Sequence, residues 1–381
     1  MFLDLVGFGI VIPLLPLYAE RFGAGPVAAA WLLSIYSLMQ FLFAPWWGRL
    51  SDRVGRRPVL LVGIAGAALS YLGFGLAGSL AWLFVARAVN GLMGANIGVA
   101  QAYIADVTPP AERAKGMGMI GAAFGLGFIF GPAIGGFLSR WGPSAPFLGA
   151  AALAAANFAL AWYRLPESLS PEVRGAASAR NAGLRARLAT VLDAPPRLRG
   201  LYATVFAVTM GISGTEAMLA LWAGRRWGLG FESVGYGLAM VGVIAAAAQG
   251  LMVGPLVRRV GERNAGLLGL ALIVAGMTLT PLAPSLPLVV LGGAVFAIGQ
   301  AASTPALMAM ISHQAGVTDQ GRILAASQSL SALSRVLGPW MAGVAFARVG
   351  VDAPFAAGAA LACIALLALA LSGRGEMRVV R

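Results

Sequence analysis

Apolar runs of about twenty residues recur along this whole 381-residue chain, broken by short segments rich in arginine, glycine and proline. Each run is long enough to cross a bilayer core of ~30 Å as a helix. Inside lipid every backbone N–H and C=O must find a partner within the protein, which makes helices the natural reading. The short alternating segments of a membrane β-barrel are missing. The pattern predicts twelve spans, at 1–22, 28–48, 58–78, 80–104, 116–140 and 144–166, then 199–224, 231–255, 264–284, 286–312, 322–347 and 352–372. The first is not a cleaved leader, because no basic segment precedes it and it carries Asp4 and the proline-rich LLPLY end. Only three residues precede Asp4. A full span would use about ten more upstream, so the expectation is a truncated chain or a start set too late.

Composition agrees with the pattern. The chain is 59% hydrophobic and 11% charged, with a mean hydropathy of +0.83, too little polar surface for a soluble domain. The net charge of +13 would suit a nucleic-acid partner, but its placement argues otherwise. Of 27 Lys and Arg, 20 lie in the even-numbered loops and the C-terminal tail, and five (Arg21, Arg140, Arg225, Arg226, Arg348) lie in odd-numbered loops. Arg87 and Arg335 lie inside spans. That asymmetry is the positive-inside pattern and puts both termini and the central loop in the cytoplasm. Basic loops also lie against anionic lipid, so no acidic partner is needed. The single Cys363 can form no internal disulfide.

The longest non-apolar stretch, with PES, SPEVRG and APPRLRG, separates two sets of six spans. The organisation predicted is a six-helix bundle over 1–166, a cytoplasmic linker over 167–198, and a second six-helix bundle over 199–381 ending in a short cytoplasmic tail. The linker's Ala/Arg-rich centre suits a short surface helix. The two sets are related by repetition. Gly48, Leu50, Arg53, Gly55 and Arg57 in GRLSDRVGRRPVLL recur at an offset of 206 as Gly254, Leu256, Arg259, Gly261 and Arg263. Both copies fall between the second and third spans of their half. GPAIGG at Gly131–Gly136 recurs as GPWMAG at Gly338–Gly343, in the fifth span of each half. Repeats in one orientation imply halves related by an axis along the membrane normal, the arrangement of proteins with alternating access to a central site.

GRLSDRVGRRP, RAVNGLMGA and GLGFIFGPAIGG resemble signatures of the major facilitator superfamily. Their combination is similar to that of its twelve-helix drug–proton antiporters. LDLVGFGIVIPLLP and AYIADVTPPAERAKGMG resemble the tetracycline-efflux branch. The resemblance covers nearly the whole chain. It implies proton-coupled efflux across a bacterial inner membrane, with the proton gradient as energy source and no cofactor. It also implies a conformational latch at Gly48, Asp52, Arg53, Gly55, Arg56, Arg57 and Asp106, and an antiporter helix motif at Gly127, Gly131, Pro132, Gly135 and Gly136. The family's fourth-helix arginine, implicated in proton coupling, falls on Arg87, and its first-helix acid falls on Asp4. The extra acids that tetracycline exporters of this kind carry in the third and ninth helices fall on Ser70 and Ala275. A metal–tetracycline chelate needs compensating negative charge, so tetracycline itself is not the expected substrate.

The residues support a physical reading of their own. Asp52 among arginines can pair locally or meet the positive N-terminal end of a helix in the other half. Topology alone would account for the arginines but not for Asp52, Gly48 or Gly55. Gly127, Gly131 and Gly135 recur every four residues and allow close helix packing. Beyond ordinary packing, they are expected to form a sliding seam between halves. Arg87 carries a mid-bilayer cost of ~2.5–3.5 kcal/mol and marks a functional site by default, with static pairing as the alternative. It shares a helical face with Asn90, Gly91, Gly94, Gly98 and Gln101, and Asp4 is its expected partner.

Glu216, in the seventh span, is the one acid deep in the second half, with Thr209 and Ser213 on its face. A carboxylate in low dielectric suits proton exchange near neutral pH, or attraction of a cation. Arg335 shares its face with Ser327, Gln328, Ser331 and Ser334; it can pair with Glu216 or bind an anion. Proton coupling is assigned to Asp4, Arg87 and Glu216. Further candidates for the substrate cavity are Tyr36, Gln40, Asn90, Gln101, Gln249, Gln300 and Arg335.

There is no G-x-x-x-x-G-K-[ST] loop for ATP and no His/Cys cluster for a metal. GLG at 125–127 follows no strand and is no dinucleotide loop. His313, at a helix end, is neither a proton site nor a ligand. The chain is therefore not read as an enzyme. Its expected partners are the bilayer, a small molecule and protons, and it is expected to act as a monomer. The runner-up is uptake, by uniport or symport, of a sugar or organic anion held by Arg87 and Arg335. A non-transporting receptor or scaffold on the same fold is the weakest reading, because it gives no reason to retain several intramembrane charges.

Overall fold

The computed structural model describes residues 1–95, 97–109, 112–169, 189–314 and 320–372. Every regular element among them is helical, as backbone satisfaction in lipid requires. In chain order the helices are α1 (Phe2–Glu20), α2 (Pro26–Val54), α3 (Arg56–Gly75), α4 (Leu80–Gly94), α5 (Ile97–Val107), α6 (Arg113–Leu138), α7 (Ala145–Arg164), α8 (Pro196–Trp227), α9 (Phe231–Ala247), α10 (Val253–Leu282), α11 (Leu286–His313), α12 (Gln320–Arg348) and α13 (Ala353–Ser372). A π-helical turn over Ala248–Met252 joins α9 to α10.

Eleven of the described helical stretches are long and apolar enough to cross a membrane. One of these, Phe231–Leu282, has 52 residues. At about 1.5 Å per residue it is more than twice the ~30 Å core. It breaks at Gly261, where φ is +80°, so it makes two crossings, which brings the described residues to twelve. The fourth span comprises α4 and α5.

The segment GRLSDRVGRRP is expected as a loop, but α2 runs on to Val54 and α3 starts at Arg56, with only Gly55 between them. Its φ of +108° reverses the chain in one residue, a conformation that side chains rarely adopt. The repeat at Gly261 turns in the same left-handed region, so the offset of 206 repeats a backbone conformation as well as letters. The expected surface helix at the linker centre lies outside the described residues.

The chain forms two compact units, Met1–Gly183 with Ala220–Ala239, and Leu184–Leu219 with Met240–Arg381. The first therefore includes the end of α8 and the start of α9, which the sequence assigns to the second bundle. Within it α1 packs on α6, α2 on α4, and α3 on α4 and α7. In the second, α10 packs on α11 and α13. The third helix of each half thus lies against the sixth. Trp47, Val59, Leu60 and Val99 form one buried cluster of the first unit; Leu201, Tyr202, Ile273, Met277 and Ile311 belong to that of the second. Exposed Leu69, Leu76 and Leu251 suit lipid contact, and exposed Trp141, Trp162 and Tyr163 at helix ends suit the membrane interface.

Candidate functional site

Arg87 lies on α4 and is 1% exposed. Its Nε donates to the Leu32 carbonyl at 3.2 Å and its Nη1 to Asn90 Oδ1 at 3.2 Å. The Tyr36 ring covers the guanidinium at 4.5 Å, a cation–π contact in a desolvated place. Among the described residues no carboxylate comes within ion-pair distance of it. The expected Asp4–Arg87 pair is absent. Asp4 instead accepts from Asn157 Nδ2 of α7 at 2.7 Å. Tyr36 and Asn90, expected on an open cavity face, are buried and serve Arg87. Gln40 Nε2 donates to the Gly94 carbonyl at 3.2 Å, and Gln101 is exposed on α5.

Glu216 on α8 is exposed. Gln300 Nε2 of α11 approaches Oε1 at 3.4 Å. Arg335 is half-buried. The serines around it pack helices together. Ser334 Oγ donates to the Phe206 carbonyl at 2.9 Å, and Ser213 Oγ to the Ser334 carbonyl at 3.4 Å, joining α8 to α12. Ser327 and Ser331 are buried. Gln249 is exposed in the π-helical turn, a distortion common at functional sites. His313 Nε2 lies 3.4 Å from Glu262 Oε1.

The glycines of α6 divide between two partners. A Cβ on Gly131 would meet Gly9 backbone atoms at 2.6 Å, and one on Gly127 would meet the Leu5 carbonyl carbon at 2.8 Å. Gly135 faces Ile10 and Leu14. These three pack α6 on α1, inside one half of the sequence, so they do not form the expected seam between halves. Gly136 alone faces the other half: a Cβ on Gly235 of α9 would lie 2.5 Å from the Pro132 carbonyl and 2.8 Å from Gly136 Cα. Beside that crossing Arg140 Nε donates to Glu232 Oε1 at 2.9 Å, and Arg225 Nη2 donates to Glu20 Oε1 at 3.0 Å. Gly338, the repeat of Gly131, is equally close to the Met210 carbonyl, where a Cβ would come within 2.4 Å.

At the break between α2 and α3, buried Asp52 accepts from Arg56 Nη1 at 2.6 Å, and Arg56 Nε donates to Asp106 Oδ2 at 3.2 Å. Arg53 is exposed. Glu167, which opens the linker, was not singled out by sequence. Its Oε1 accepts from the backbone N–H of Arg56, Ser168 and Leu169 at 2.8, 3.0 and 3.1 Å, and its Oε2 from that of Arg57 at 3.3 Å. Ser168 Oγ donates to Asp106 Oδ2 at 3.2 Å. A side chain at Gly55 would collide with the Glu167 carboxylate, 2.3 Å from its Cβ. Arg57 Nη2 donates to the Trp162 carbonyl at 2.8 Å, and its repeat Arg263 donates to the Ala370 carbonyl at 2.9 Å. Each arginine ties the start of the third helix to the end of the sixth.

Burial acts to raise the Glu167 pKa, but the four backbone hydrogen bonds outweigh it and hold the carboxyl below the ordinary glutamate value. A lowered folded-state pKa gives stability that is present above the unfolded value and lost as pH falls through the folded one. Glu167→Gln is therefore expected to weaken amide protection at Arg56 and Arg57 at about pH 7, with the difference from wild type fading below about pH 4.5. Hydrogen exchange of that segment, measured on both proteins at each pH, checks it.

Helices that cross the membrane twelve times, repeated halves and accessible charge at mid-span define the class, a multi-pass membrane transporter. The family model for the Major Facilitator Superfamily matches residues 1–276 and 201–378. The tetracycline resistance protein, class E, of Escherichia coli is 34% identical over 89% of this chain and 84% of its own length. Multidrug resistance protein 2 of Bacillus subtilis is 28% identical over 93% and 88%. The crystal structure of the human organic anion transporter MFSD10 (TETRAN) superposes with a TM-score of 0.73 at 27% identity, over 97% of this chain and 96% of that one. The chain belongs to the major facilitator superfamily, a family of transporters and not of enzymes.

Proposed function

We propose that this transporter is a proton-coupled exporter of drugs or small amphipathic metabolites, working by alternating access in a bacterial inner membrane. Both termini face the cytoplasm on the 20-to-5 asymmetry of basic residues. The proton gradient drives it without a cofactor, and it acts as a monomer. The observation that carries the reading is Glu216, an accessible carboxylate in mid-span with Gln300 on one oxygen. A proton and a cationic substrate neutralise such a group equally well, and competition between them is antiport. The kinship with tetracycline and multidrug resistance proteins supports efflux. Tetracycline itself is not the expected substrate, because Ser70 Oγ is bonded to the Gly66 carbonyl and Ala275 has no charge to offer. The Asp52–Arg56–Asp106 cluster, bound to the linker through Glu167 and Ser168, serves as the latch that one conformation makes and the other breaks.

A second reading is transport of an organic anion. It is supported by the 27% identity to MFSD10 and by Arg335, and it leaves Arg87 without substrate contact. Inverted vesicles separate the two. Export of ethidium appears as proton-driven accumulation inside them, and Glu216→Gln is expected to reduce it at least ~10-fold. If Glu216→Gln leaves that accumulation unchanged, Glu216 does not couple. Accumulation of an anionic dye instead, lost in Arg335→Gln, favours the second reading.

A further inference from the structure

We propose that Asn157 is the positioning residue for Asp4, its side-chain amide holding the carboxyl in both protonation states. The inference rests on the proton-coupled reading above. Asn157 lies on α7 and is 6% exposed. Every other residue of that helix from Ala145 to Ala161 is apolar, proline or glycine. Such side chains already pack α7 on α1 and α3, so a buried amide among them calls for a partner. Its Nδ2 donates to Asp4 Oδ1 of α1 at 2.7 Å. The Asp4 side chain keeps 33% of its surface exposed, which leaves it open to a proton.

That bond alone would be ordinary glue between two membrane helices. The chemistry of the pair adds a second property. An ionised carboxyl only accepts hydrogen bonds, and a protonated one must also donate its O–H. An amide carries two donors on one side of its plane and an accepting carbonyl on the other. As found, the N–H₂ serves the ionised form. A half-turn about the last side-chain bond presents Oδ1 to the protonated form, with neither helix moved. A lysine would serve the ionised form alone, and a leucine neither. The proton comes from water, and no bond forms other than the O–H. Among the described residues, the other charged and titratable groups on the surrounding helices are accounted for. On α1 the Met1 amino group lies 3.5 Å from Asp4 Oδ2. Tyr36 of α2 lies against Phe8 and covers Arg87 of α4, and Tyr71 of α3 lies against Gly7. Asp52 and Arg56, at the break between α2 and α3, are bonded to each other. On α6 it is glycines that meet α1. Tyr163 and Arg164 stand exposed about 10 Å beyond Asn157 on α7.

Infrared titration of the protein in proteoliposomes tests this without a substrate. The carboxyl band lost in Asp4→Asn reports protonated Asp4. In Asn157→Leu, a change of similar volume, that band is expected at higher frequency, as for a carboxyl freed of its partner. Its midpoint is expected to rise by about one pH unit, because a hydrogen bond to the charged form is roughly twice as strong as one to the neutral form. A purely structural amide would move neither. Frequency and midpoint both unchanged in Asn157→Leu overturn the proposal, as does the absence of any band lost in Asp4→Asn. Should Asn157→Leu fail to fold, the unmutated protein decides. With asparagine carrying ¹³C at the side-chain carbonyl, one labelled band is expected to shift with the same midpoint as the Asp4 carboxyl, and no such shift overturns the proposal. If these changes appear while Asp4→Asn leaves proton-driven ethidium accumulation intact, the hold of Asn157 on Asp4 stands and Asp4 is not a coupling residue.

Discussion

Gly131→Ala is expected to destabilise the protein by about 3 kcal/mol or more, and Gly131→Leu to prevent its accumulation in the membrane. The new methyl group would sit 2.6 Å from the backbone of Gly9, and a backbone has no rotamer with which to yield. The contact is reciprocal, since a Cβ on Gly9 would lie 2.5 Å from the Gly127 carbonyl oxygen. Without a hydrophobic force between helices in lipid, this close approach is itself much of what joins α1 to α6. The same helix supplies the control. Gly125 and Gly121 have open space where a Cβ would stand, so Gly125→Ala is expected to stay within about 0.5 kcal/mol of wild type. Thermal unfolding of the purified protein, followed by tryptophan fluorescence, compares them. Equal effects at 125 and 131 would contradict the packing account.

Arg87→Met is expected to abolish transport, by about 100-fold or more, while leaving thermal stability unchanged or raised. The guanidinium is held by a helix carbonyl, an amide and a ring face. None of these is left as an unpaired charge when the cation goes, and an apolar side chain of similar length removes a desolvation cost. A merely structural arginine gives the opposite pattern, with stability lost and residual transport in proportion to folded protein. Measuring both quantities on one preparation separates the two cases.

The span pattern was legible because lipid allows the chain few alternatives: a crossing must be helical, apolar and about twenty residues long. The repeat was legible too, and it reached to conformation, since Gly55 and Gly261 both turn with positive φ and Arg57 and Arg263 both reach the last turn of a sixth helix. Partner choice was not legible. Asp4 and Arg87 carry opposite charge and both lie inside spans, but Asn157 is the partner of Asp4. Its signal was available, as a lone amide in the apolar run AAALAAANFALAW. Glu167 had weaker marks. It stands in an ordinary polar linker, and its partners lie 111 and 110 residues away. The glycine spacing of α6 revealed a close-packed face and not which helix it meets, because three glycines turn to α1 and one to α9. Arg140 and Arg225 count in the sequence only as charges of odd-numbered loops, yet each pairs with an acid at a helix end, Glu232 and Glu20.

The central claim is that substrate and proton compete for this protein. The most direct measurement is proton release from weakly buffered purified protein on addition of ethidium, tetracycline and an anionic dye in turn. Release on adding ethidium, lost in Glu216→Gln or Asp4→Asn, is the result expected. Binding of the anionic dye with no proton change for any compound would contradict it and point to the organic-anion reading.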